Sequence, residues 1–334
     1  MNRSTQKTHQ LETYDYLLPK YRIAQYPASP RDSSELLLVS RDQQKLGDFR
    51  FFQLAELLQP EDLLVLNNTK VIPARLRSDC GEVLLVRSTG EKNCWDAMIH
   101  PGKHFSPGTR VHFAGDLEAT VLSHSTIGRF LQFHGDLDAH LQKYGRIPLP
   151  PYIVREAEPG DAGSYQTIYA RVAGSVAAPT AGLHFTRRVF QTLKERGIDV
   201  ARITLHVGPG TFRPVKAKDI THHSIYPEHY SCSESTWRKI EKAGRVIAVG
   251  TTTTRALETI ALTGEKMGIS SLFIYPGFSF QVIGGLLTNF HLPKSSLLML
   301  VSAFAGVNCV SKAYQHAIDS DYRFYSYGDA MLIL

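Results

Sequence analysis

Residues Asp62–Asn67 read DLLVLN, an apolar run that begins after Pro60 and ends at the polar residues Asn68 and Thr69. An apolar run of this length, bounded by a proline and a polar cluster, is typical of a buried strand that ends in a loop. We therefore predict a core strand over residues 62–67.

From residue 74 to residue 147 the sequence has a different character. Short segments rich in strand-forming residues are separated by the turn pairs Pro107-Gly108, Gly115-Asp116 and Ile127-Gly128. The predicted strands are residues 82–87, 94–100, 109–113, 117–124 and 129–133. Closely spaced strands without intervening helices indicate an antiparallel meander or a small barrel.

After the proline-rich residues 147–152 (IPLPPY), which we interpret as an extended return linker, helices alternate with strands. Thr186 is placed to cap one helix, and Ser233 or Ser235 to cap another. The helices are predicted to end near residues 196 and 244, and a third to cover residues 255–261; the strands between them are predicted at residues 200–207 and 246–249. This alternation is typical of an α/β layer.

The sequence thus predicts an α/β fold with an inserted antiparallel β-barrel, in two domains. Residues 1–73 and 148–334 are predicted to form a discontinuous α/β domain, and residues 74–147 the inserted small β-barrel domain. Residues 1–12 are polar and are predicted to form a solvated tail.

Composition excludes several classes of protein. The 334 residues are 43% hydrophobic and carry a formal charge of +6, which is ordinary for a globular chain. No apolar run reaches the roughly 18 residues of a membrane span, and the polar N-terminus lacks the apolar core of a signal peptide. The four cysteines are far apart, as expected for free thiols in a reducing compartment. We expect a cytoplasmic protein that does not contact a membrane.

Residues 204–211 (TLHVGPGT) place Gly208 and Gly210 after an apolar strand. Glycines let a backbone approach a ligand closely, and exposed N–H groups in such a turn hold an anion or a ribose hydroxyl. A dinucleotide-binding loop is the alternative, but the glycine pattern is incomplete and Pro214 follows instead of a helix. An ordinary tight turn remains open as a third interpretation.

Residues 250–254 (GTTTT) lie between a predicted strand and a helix N-terminus. The hydroxyl and amide groups of Thr251 and Thr252 are placed to bind phosphate, carboxylate or ribose, helped by the helix dipole. Simple helix capping is an equally good interpretation. Arg255 is predicted in the first helical turn, where the dipole disfavours a cation, and this favours a role in gripping an anion.

Three other polar segments contain candidate residues. Residues 175–186 (SVAAPTAGLHFT) place His184 among small residues that leave room for a ligand, and histidine exchanges protons near neutral pH. Residues 287–296 (LTNFHLPKSS) contain groups suited to a heterocycle edge, and residues 322–330 (YRFYSYGDA) contain aromatic rings that can stack on bases. The alternatives are a structural histidine, a loop that closes a core helix, and a core strand with a turn.

Metal and hydrolase chemistry are disfavoured. The adjacent His222 and His223, with or without His206, do not form a two-histidine ligand pattern beside a carboxylate. The chain also has no GxSxG nucleophile segment. We predict no metal site.

Segments spread from Tyr14 to Ile333 together resemble one known family. They read, in chain order, YDYLLPKYRIAQYP, LLVLNNTKVIPARL, IPLPPYI, YQTIYA, GSVAAPTAGLHFT, TLHVGPGTFRPV, VIAVGTTTTRALET, LLTNFHLPKSSLLMLVSAFAG and YRFYSYGDAMLI. The family is the S-adenosylmethionine:tRNA ribosyltransferase-isomerases, the queuosine-pathway enzymes that make epoxyqueuosine. The chain departs from the family pattern at Glu35, His100, Tyr226 and Gly284.

The resemblance implies a specific reaction. Such enzymes transfer and isomerise the ribosyl moiety of S-adenosylmethionine onto 7-aminomethyl-7-deazaguanine, at the wobble position of tRNAs with a GUN anticodon, and release adenine and methionine. S-adenosylmethionine is consumed as a substrate, so no cofactor and no metal is implied. We expect a monomer that binds tRNA and S-adenosylmethionine as its substrates. The family fold, an α/β domain with an inserted small β-barrel, agrees with the change in character at residue 74.

The reaction requires proton transfers and the binding of two substrates, and candidate residues follow from these needs. The proton-transfer candidates are His184 and His206, followed by Glu228 and Asp329. The substrate-binding candidates are Lys70, Arg75, Thr180, Gly208, Gly210, Thr251, Thr252, Arg255, Asn289 and His291. Among them, Thr251, Thr252 and Arg255 suit the methionine carboxylate or the ribose, Asn289 and His291 suit adenine or the deazaguanine, and Lys70 and Arg75 suit tRNA phosphates.

Two other classes of protein remain as alternatives. An S-adenosylmethionine-dependent RNA methyltransferase would release S-adenosylhomocysteine, and the degenerate glycine pattern argues against it. A non-catalytic tRNA-binding protein would carry basic surface but would not need so many polar loop residues. Product analysis separates all three.

Overall fold

The computed structural model describes residues 8–43, 45–212 and 215–334, with residues 211 and 212 described by their backbone alone. The strands are β1 (Glu35–Ser40), β2 (Lys45–Arg50), β3 (Asp62–Asn67), β4 (Thr69–Val71), β5 (Arg75–Arg77), β6 (Glu82–Ser88), β7 (Cys94–His100), β8 (Arg110–His112), β9 (Glu118–His124), β10 (Arg129–His134), β11 (Val172–Ser175), β12 (Asp199–Leu205), β13 (Glu228–Ser231), β14 (Arg245–Val249), β15 (Met267–Ser270), β16 (Ile283–Asn289) and β17 (Ala330–Ile333). The α-helices are α1 (Leu137–Tyr144), α2 (Asp161–Ser164), α3 (Arg187–Glu195), α4 (Glu234–Lys242), α5 (Thr251–Thr263), α6 (Ser296–Ala305) and α7 (Val307–Asp319).

Strand β3 is the buried strand that the apolar run predicts, with the same bounds. All six of its residues are buried. Because side chains alternate along a strand, Leu63 and Val65 pack into one hydrophobic cluster while Leu64 and Leu66 pack into another on the opposite face. Residues 63–66 are apolar on both faces because both faces of the sheet are covered.

The large sheet contains nine strands in the order β15-β13-β12-β3-β14-β16-β17-β1-β2. Its centre, β12-β3-β14-β16, is parallel, whereas the flanking pairs are mostly antiparallel. From β3 the chain passes through the curled sheet and returns to the large sheet at β12, on one side of β3. From β14 it passes through α5 and the edge strand β15 before it reaches β16, on the other side of β14. Open α/β sheets bind ligands beyond the carboxyl ends of their strands at such a switch point.

Two predicted helix caps are confirmed. The Thr186 hydroxyl accepts a hydrogen bond from Val189 N at the start of α3, and the Ser233 hydroxyl accepts one from Thr236 N at the start of α4.

The predicted start of α5 at Arg255 was wrong, since α5 begins at Thr251. The Thr253 hydroxyl donates to Val249 O at 2.7 Å, so a threonine run that resembles a loop is accommodated inside a helix.

A second sheet of six antiparallel strands, β5-β6-β7-β10-β9-β8, is built from residues 75–134. It curls, because an isolated bridge between Ser78 and Phe113 brings together the chain just beyond β5 and β8, the two edge strands. Leu85, Val111 and Leu131 are buried in the cluster that this curl encloses. The fold is therefore mixed α/β with a large sheet and a curled antiparallel half-barrel, and the predicted strands of this region are confirmed. The two-domain division at residues 73 and 148 and a complete inserted barrel stay predictions.

The predicted N-terminal tail is only partly accessible to comparison, since residues 1–7 lie outside the described residues. Residues 8–12 are not a solvated tail: Leu11 is 7% exposed and its amide donates to Lys218 O. Among the described residues, no single helix has the length and apolar character to cross a membrane. The bent pair α6 and α7, which turns by 114°, meets those criteria only when both helices are counted together.

Candidate functional site

Polar groups converge where the parallel strands end. Thr69 follows β3, His206 follows β12, Gly250 follows β14, and β16 ends at Asn289. Since carboxyl ends of parallel strands meet at one edge of a sheet, loops that are far apart in sequence are brought to one side of the molecule. Two cavities open there, one on each side of the chain near Val207.

The first cavity, which we name the cleft, contains about 630 Å³ of empty space including its open mouth. Five of the predicted substrate-binding residues line it together with Gly250, and its polar lining residues are Thr180, Thr251, Thr252, Thr288, Asn289, His291, Ser295 and Ser326. Aromatic rings of Tyr152 and Tyr325 close one wall at a centroid distance of 4.8 Å. The cleft therefore combines hydrogen-bonding groups with an apolar wall, as small-molecule sites do.

The N-terminus of α5 faces the cleft. Gly250 has φ of +94°, a conformation that favours glycine, and it supplies no side-chain cap. The first amide groups of a helix have no partner within the helix. The hydroxyls of Thr251 and Thr252, 5% and 6% exposed, likewise have no hydrogen-bond partner among the described residues. Unpaired donors and a positive helix end make this the part of the cleft best suited to an anion.

His291 contributes a neutral ring to the cleft. Its Nε2 lies 2.9 Å from the Thr288 hydroxyl, and its backbone amide donates to the Tyr314 hydroxyl. Burial lowers the pKa of His291 to about 3. At neutral pH this side chain can exchange hydrogen bonds with a heterocycle, but it carries no charge.

Asn289 is oriented by three neighbours. Its Oδ1 accepts a hydrogen bond from the Thr180 hydroxyl at 2.8 Å, while its Nδ2 donates to His184 Nε2 at 3.1 Å and to Asp329 O at 3.3 Å. The side chain that lines the cleft is thus held by groups from two distant parts of the sequence, residues 180–184 and residue 329.

His184 lies behind Asn289 and has both ring nitrogens engaged. Because Nε2 accepts from Asn289, Nδ1 carries the proton and donates to Ser34 Oγ at 2.8 Å. The ring also stacks on Phe51 at 4.9 Å. Burial, with smaller contributions from Arg323 and Arg31, lowers the pKa of His184 to about 3. This geometry gives no support to the predicted proton transfer by His184 and favours a positioning role.

The second cavity, which we name the groove, lies between the curled sheet and the end of the large sheet. It contains about 1,580 Å³ of empty space including its open mouth, and the residues that line it are Val86, Arg87, Ser88, Thr89, Gly90, Trp95, Phe130, Ala173, Gly174, His206, Gly208, Tyr226, Pro227, Glu228, His229 and Ile269. Val207 lines the cleft while its neighbours His206 and Gly208 line the groove. The two cavities are therefore close neighbours across one stretch of backbone.

His206 is the half-buried histidine whose ring faces the groove. Its Nδ1 lies 2.8 Å from Thr69 Oγ1, and that hydroxyl donates to Val172 O at 3.5 Å. The Thr69 oxygen therefore accepts from Nδ1–H, which leaves the lone pair of Nε2 without a partner among the described residues. The ring also lies against Gly174, where a Cβ would come within 2.9 Å of it. Burial and the nearby His229 lower the pKa of His206 below its usual value, so the ring is neutral at pH 7.

Glu228 and Arg255 form a buried ion pair instead of the free groups that the sequence predicts. Arg255 Nη1 lies 2.7 Å from Glu228 Oε2, and both side chains are at most 3% exposed. The guanidinium also donates to Leu272 O and Ser270 O, and Glu228 Oε1 accepts from Gly208 N at 2.8 Å. The pair thus holds the glycine loop, and the predicted substrate role of Arg255 and catalytic role of Glu228 have no support from this geometry.

Asp329 is likewise engaged in the fold. It is 2% exposed, its Oδ2 accepts from Arg323 N at 2.7 Å, and its Oδ1 accepts from Glu35 N and Arg323 Nη2 at 3.1 Å. These bonds join β1 to the turn before β17, and they leave proton transfer by Asp329 without support.

The remaining predicted residues lie outside the cleft. Lys70 is exposed, and Arg75 is half-buried in an ion pair of 3.3 Å with Glu82. Tyr226 packs over Gly208 and Gly210: its ring occupies the space that a side chain at Gly208 would need, and its Cβ the space that one at Gly210 would need. Substrate contact by Lys70, Arg75, Gly208 and Gly210 stays a prediction.

Sequence reasoning missed several residues that line the two cavities. Tyr152 and Tyr325 in the cleft, and Arg87, Trp95 and Phe130 in the groove, were not among the predicted site residues. The backbone of Tyr325 has φ of +71°, a strained conformation that clusters at functional sites, but only the structure shows it. Among the described residues, no group of three or more His, Cys, Asp and Glu side chains could hold a metal ion.

Comparison with known proteins places the chain in a family. A family model described as queuosine biosynthesis protein matches residues 11–333. The chain belongs to this queuosine biosynthesis family. Family members named S-adenosylmethionine:tRNA ribosyltransferase-isomerase include one from Halothermothrix orenii, 48% identical over 97% of this chain and 99% of that protein, and one from Thermosynechococcus vestitus, 50% identical over 97% and 96%.

A solved family structure supports the same assignment. The crystal structure of an S-adenosylmethionine tRNA ribosyltransferase from Thermotoga maritima matches with a TM-score of 0.56 and 38% identity, over 96% of this chain and 100% of that one. The family and the mixed α/β fold that the sequence resemblance implies are therefore confirmed.

Proposed function

We propose that this chain transfers and isomerises the ribosyl moiety of S-adenosylmethionine onto 7-aminomethyl-7-deazaguanine at the wobble position of tRNAs with a GUN anticodon. Adenine and methionine leave, and epoxyqueuosine remains in the tRNA. The family match over residues 11–333, with full-length relatives named for this activity, carries the proposal. The cleft at the ends of the parallel strands supports it with groups suited to S-adenosylmethionine.

The cleft offers complementary groups for the carboxylate and the adenine of S-adenosylmethionine. The methionine carboxylate is an anion, and the unpaired donors at the N-terminus of α5, with Thr251 and Thr252, suit it. Asn289 and the neutral ring of His291 suit the edge of adenine, because both present donors and acceptors without charge. The apolar wall of Tyr152 and Tyr325 suits the face of that base.

The group best suited to proton transfer, His206, lies in the groove. The substrate amine must lose a proton to attack carbon, and His206 has a neutral ring whose Nε2 lone pair has no partner in the described part of the chain. The sulfonium acidifies the adjacent ribose carbon. A base near Val207, where the groove adjoins the cleft, is therefore also placed to remove a proton from that carbon. We assign His206 to proton transfer and His184 to positioning Asn289. The reaction consumes S-adenosylmethionine, so the proposal requires no resident cofactor or metal.

The proposed activity is tested by its products. We expect adenine and methionine to form from S-adenosylmethionine only when tRNA that carries 7-aminomethyl-7-deazaguanine is present, because the amine is the nucleophile. Liquid chromatography of the reaction measures both products, and tRNA with ordinary guanine at position 34 is the control. Formation of S-adenosylhomocysteine would point to the methyltransferase alternative, and no product at all would point to the binding protein.

Two substitutions at His184 separate positioning from proton transfer. His184→Gln keeps a side-chain oxygen that can accept from Asn289 Nδ2, whereas His184→Ala removes that acceptor and leaves a cavity beside Phe51. We expect kcat to fall roughly 10-fold or more in His184→Ala and to recover substantially in His184→Gln. Steady-state kinetics with a thermal melt of each variant checks this. Equal loss in both folded variants would return His184 to the proton-transfer role.

A monomeric state and a cytoplasmic location are also proposed. Size-exclusion chromatography with light scattering tests the first, and cell fractionation tests the second.

A further inference from the structure

Three arginines share one face of the curled sheet beside its edge strand β5. Arg75 and Arg77 are two residues apart on β5, so their side chains project to the same side of the sheet. Arg146 lies directly opposite Arg75, because the two residues exchange both backbone hydrogen bonds, at 3.1 Å and 2.9 Å. Directly opposite residues of an antiparallel pair share a face. Leu76, between the arginines of β5, belongs to the buried cluster inside the curl, so the three arginines lie on its outer face.

The three arginine side chains line a third cavity, which we name the arginine hollow. It contains about 1,340 Å³ of empty space including its open mouth, and the proline-rich linker with the residues after it, up to residue 157, forms another wall. Arg77 and Arg146 are exposed, and the side chain of Arg75 is 35% exposed. A large charged molecule can therefore reach the guanidinium groups from solvent.

The ion pairs of this outer face leave two of the three guanidinium groups unneutralised. Glu82 lies opposite Arg77 on β6, but its carboxylate forms its ion pair with Arg75, at 3.3 Å. Arg77 and Arg146 have no ion pair and no side-chain hydrogen bond among the described residues. The β5 side of the hollow therefore carries three positive charges against one negative charge.

The other charged groups of the hollow do not remove this excess. Arg155 donates two hydrogen bonds of 2.7 Å to the buried carboxylate of Asp161, so these two charges balance each other. Glu156 is exposed on the linker wall, and its carboxylate forms no ion pair in the described part of the chain. Burial and the nearby Lys143 lower the pKa of His140 from its usual value, so this ring is neutral at pH 7. Two unpaired guanidinium groups thus remain against one unpaired carboxylate.

The opposition of Arg75 and Arg146 has a cost in the free protein. Like charges on directly opposite residues of a sheet destabilise the pairing of the strands. Glu82 relieves part of this repulsion, and an anion bound between the guanidinium groups would relieve more of it. The planar fork of N–H donors on arginine also matches the oxygens of a phosphate. The arrangement therefore fits a phosphate ligand.

The arginine hollow adjoins the candidate site. A fourth cavity shares five lining residues with it, which are Arg75, Glu82, Leu149, Pro150 and Pro151. Val176 and Pro209 also line this fourth cavity, while the nearby residues Ala177 and Val207 line the cleft. A polymeric anion held at the arginines can therefore extend along adjoining cavities toward the cleft, which favours an RNA backbone over a free phosphate ion.

We propose that the arginine hollow binds phosphate groups of the tRNA backbone, with Arg77 and Arg146 as the contacts and Arg75, paired with Glu82, as a flanking charge. The inference rests on the proposed function in one respect, that tRNA is the substrate. Neither Arg77 nor Arg146 is among the residues that the sequence suggests for phosphate, because only the tertiary structure shows which arginines have an ion-pair partner.

The salt dependence of tRNA binding tests the proposal. Each phosphate contact releases counterions, so Arg77→Ala and Arg146→Ala should each reduce the slope of log affinity against log salt concentration by about one. At about 0.1 M salt we expect each variant to bind tRNA roughly 5- to 10-fold more weakly. Phosphates carry no base identity, so tRNA with 7-aminomethyl-7-deazaguanine and tRNA with guanine at the wobble position should lose affinity equally, and affinity for S-adenosylmethionine should not change.

Arg238 provides the matched control. It is an exposed arginine on α4 without an ion pair among the described residues, and its neighbour Lys239 contacts Asp199 at the amino end of β12, the edge of the large sheet away from the cleft. Arg238→Ala should therefore keep the wild-type slope. Arg77→Lys retains the charge and should keep most of the slope that Arg77→Ala loses.

Thermal melts separate phosphate binding from a structural role. Because Arg146→Ala removes a like charge opposite Arg75, we expect its melting temperature to equal or exceed that of wild type. Arg77→Glu, at an exposed position, covers the case in which Arg146→Ala fails to fold. It should weaken tRNA binding more than Arg77→Ala does, most strongly at low salt.

Wild-type salt slopes in the folded Arg77 and Arg146 variants would overturn the proposal. Binding of inorganic phosphate by wild type that is lost in Arg146→Ala, with tRNA affinity unchanged in that variant, would assign the hollow to a small anion and overturn it too. Product formation by the wild-type enzyme would still stand in either case, so failure of the hollow and failure of the proposed function are distinguishable.

Discussion

Replacement of His206 by alanine lowers kcat/KM about 10²- to 10⁴-fold, the range that loss of a general acid or base produces. The expectation rests on a half-buried ring whose Nδ1 is held 2.8 Å from Thr69 Oγ1 and whose Nε2 lone pair has no described partner. Single-turnover kinetics with modified tRNA and saturating S-adenosylmethionine measures the effect on chemistry apart from product release. A folded His206→Ala variant with wild-type turnover would remove His206 from the mechanism.

The pH dependence gives a second readout of the same residue. A base must be neutral to act, so activity falls as the pH drops through its pKa. Burial and His229 lower the pKa of His206 from 6.5, so the acid limb of the kcat/KM profile should lie below pH 6.5 in wild type. His206→Gln should abolish that limb. Thr69→Val, which removes the acceptor for Nδ1–H but keeps the ring, should show a smaller loss of rate.

Replacement of Arg255 by methionine should lower the free energy of unfolding by about 3–5 kcal/mol. The reason is that Glu228, 3% exposed, would keep its carboxylate in the interior without the guanidinium that lies 2.7 Å away. Guanidinium chloride denaturation, followed by circular dichroism, measures the change. We expect Arg255→Met combined with Glu228→Gln to recover part of the loss, because the uncompensated charge is then absent.

An exposed ion pair provides the control for Arg255. Lys239 and Asp199 are 55% and 71% exposed at a distance of 3.3 Å, so Lys239→Met should change stability by no more than about 1 kcal/mol. If Arg255→Met were as stable as wild type but bound S-adenosylmethionine weakly, the substrate role that the sequence suggests for Arg255 would be restored.

Features that depend on neighbours within a few residues were predictable. The strand over residues 62–67, the strands of the curled sheet and the caps Thr186 and Ser233 follow from apolar runs, turn pairs and cap chemistry, and all are confirmed. The start of α5 was missed because Thr253 and Thr254 bond back to the carbonyls of Val249 and Gly250 just before the helix, which a sequence pattern does not reveal.

The partners of polar side chains were not predictable. Arg255 and Glu228 are 27 residues apart, His184 and Asn289 are 105 apart, and Thr69 and His206 are 137 apart, yet each pair is bonded. A charged or polar side chain serves the fold when it is buried and a distant partner fulfils its hydrogen bonds. It is available to bind a ligand when it faces a cavity. That difference separates Arg255 from Thr252, although both lie on α5.

The sequence by itself determined the family, the alternation of strands and helices, and the residue types that meet the needs of the reaction. The tertiary structure alone decided that Thr251, Thr252, Asn289 and His291 share a cleft, that His206 faces the neighbouring groove, and that Trp95 and Phe130 line that groove. The physical reason is that strand and cap preferences are local, whereas burial, pKa and hydrogen-bond satisfaction depend on how strands β3, β12, β14 and β16 order their loops at one edge of the sheet.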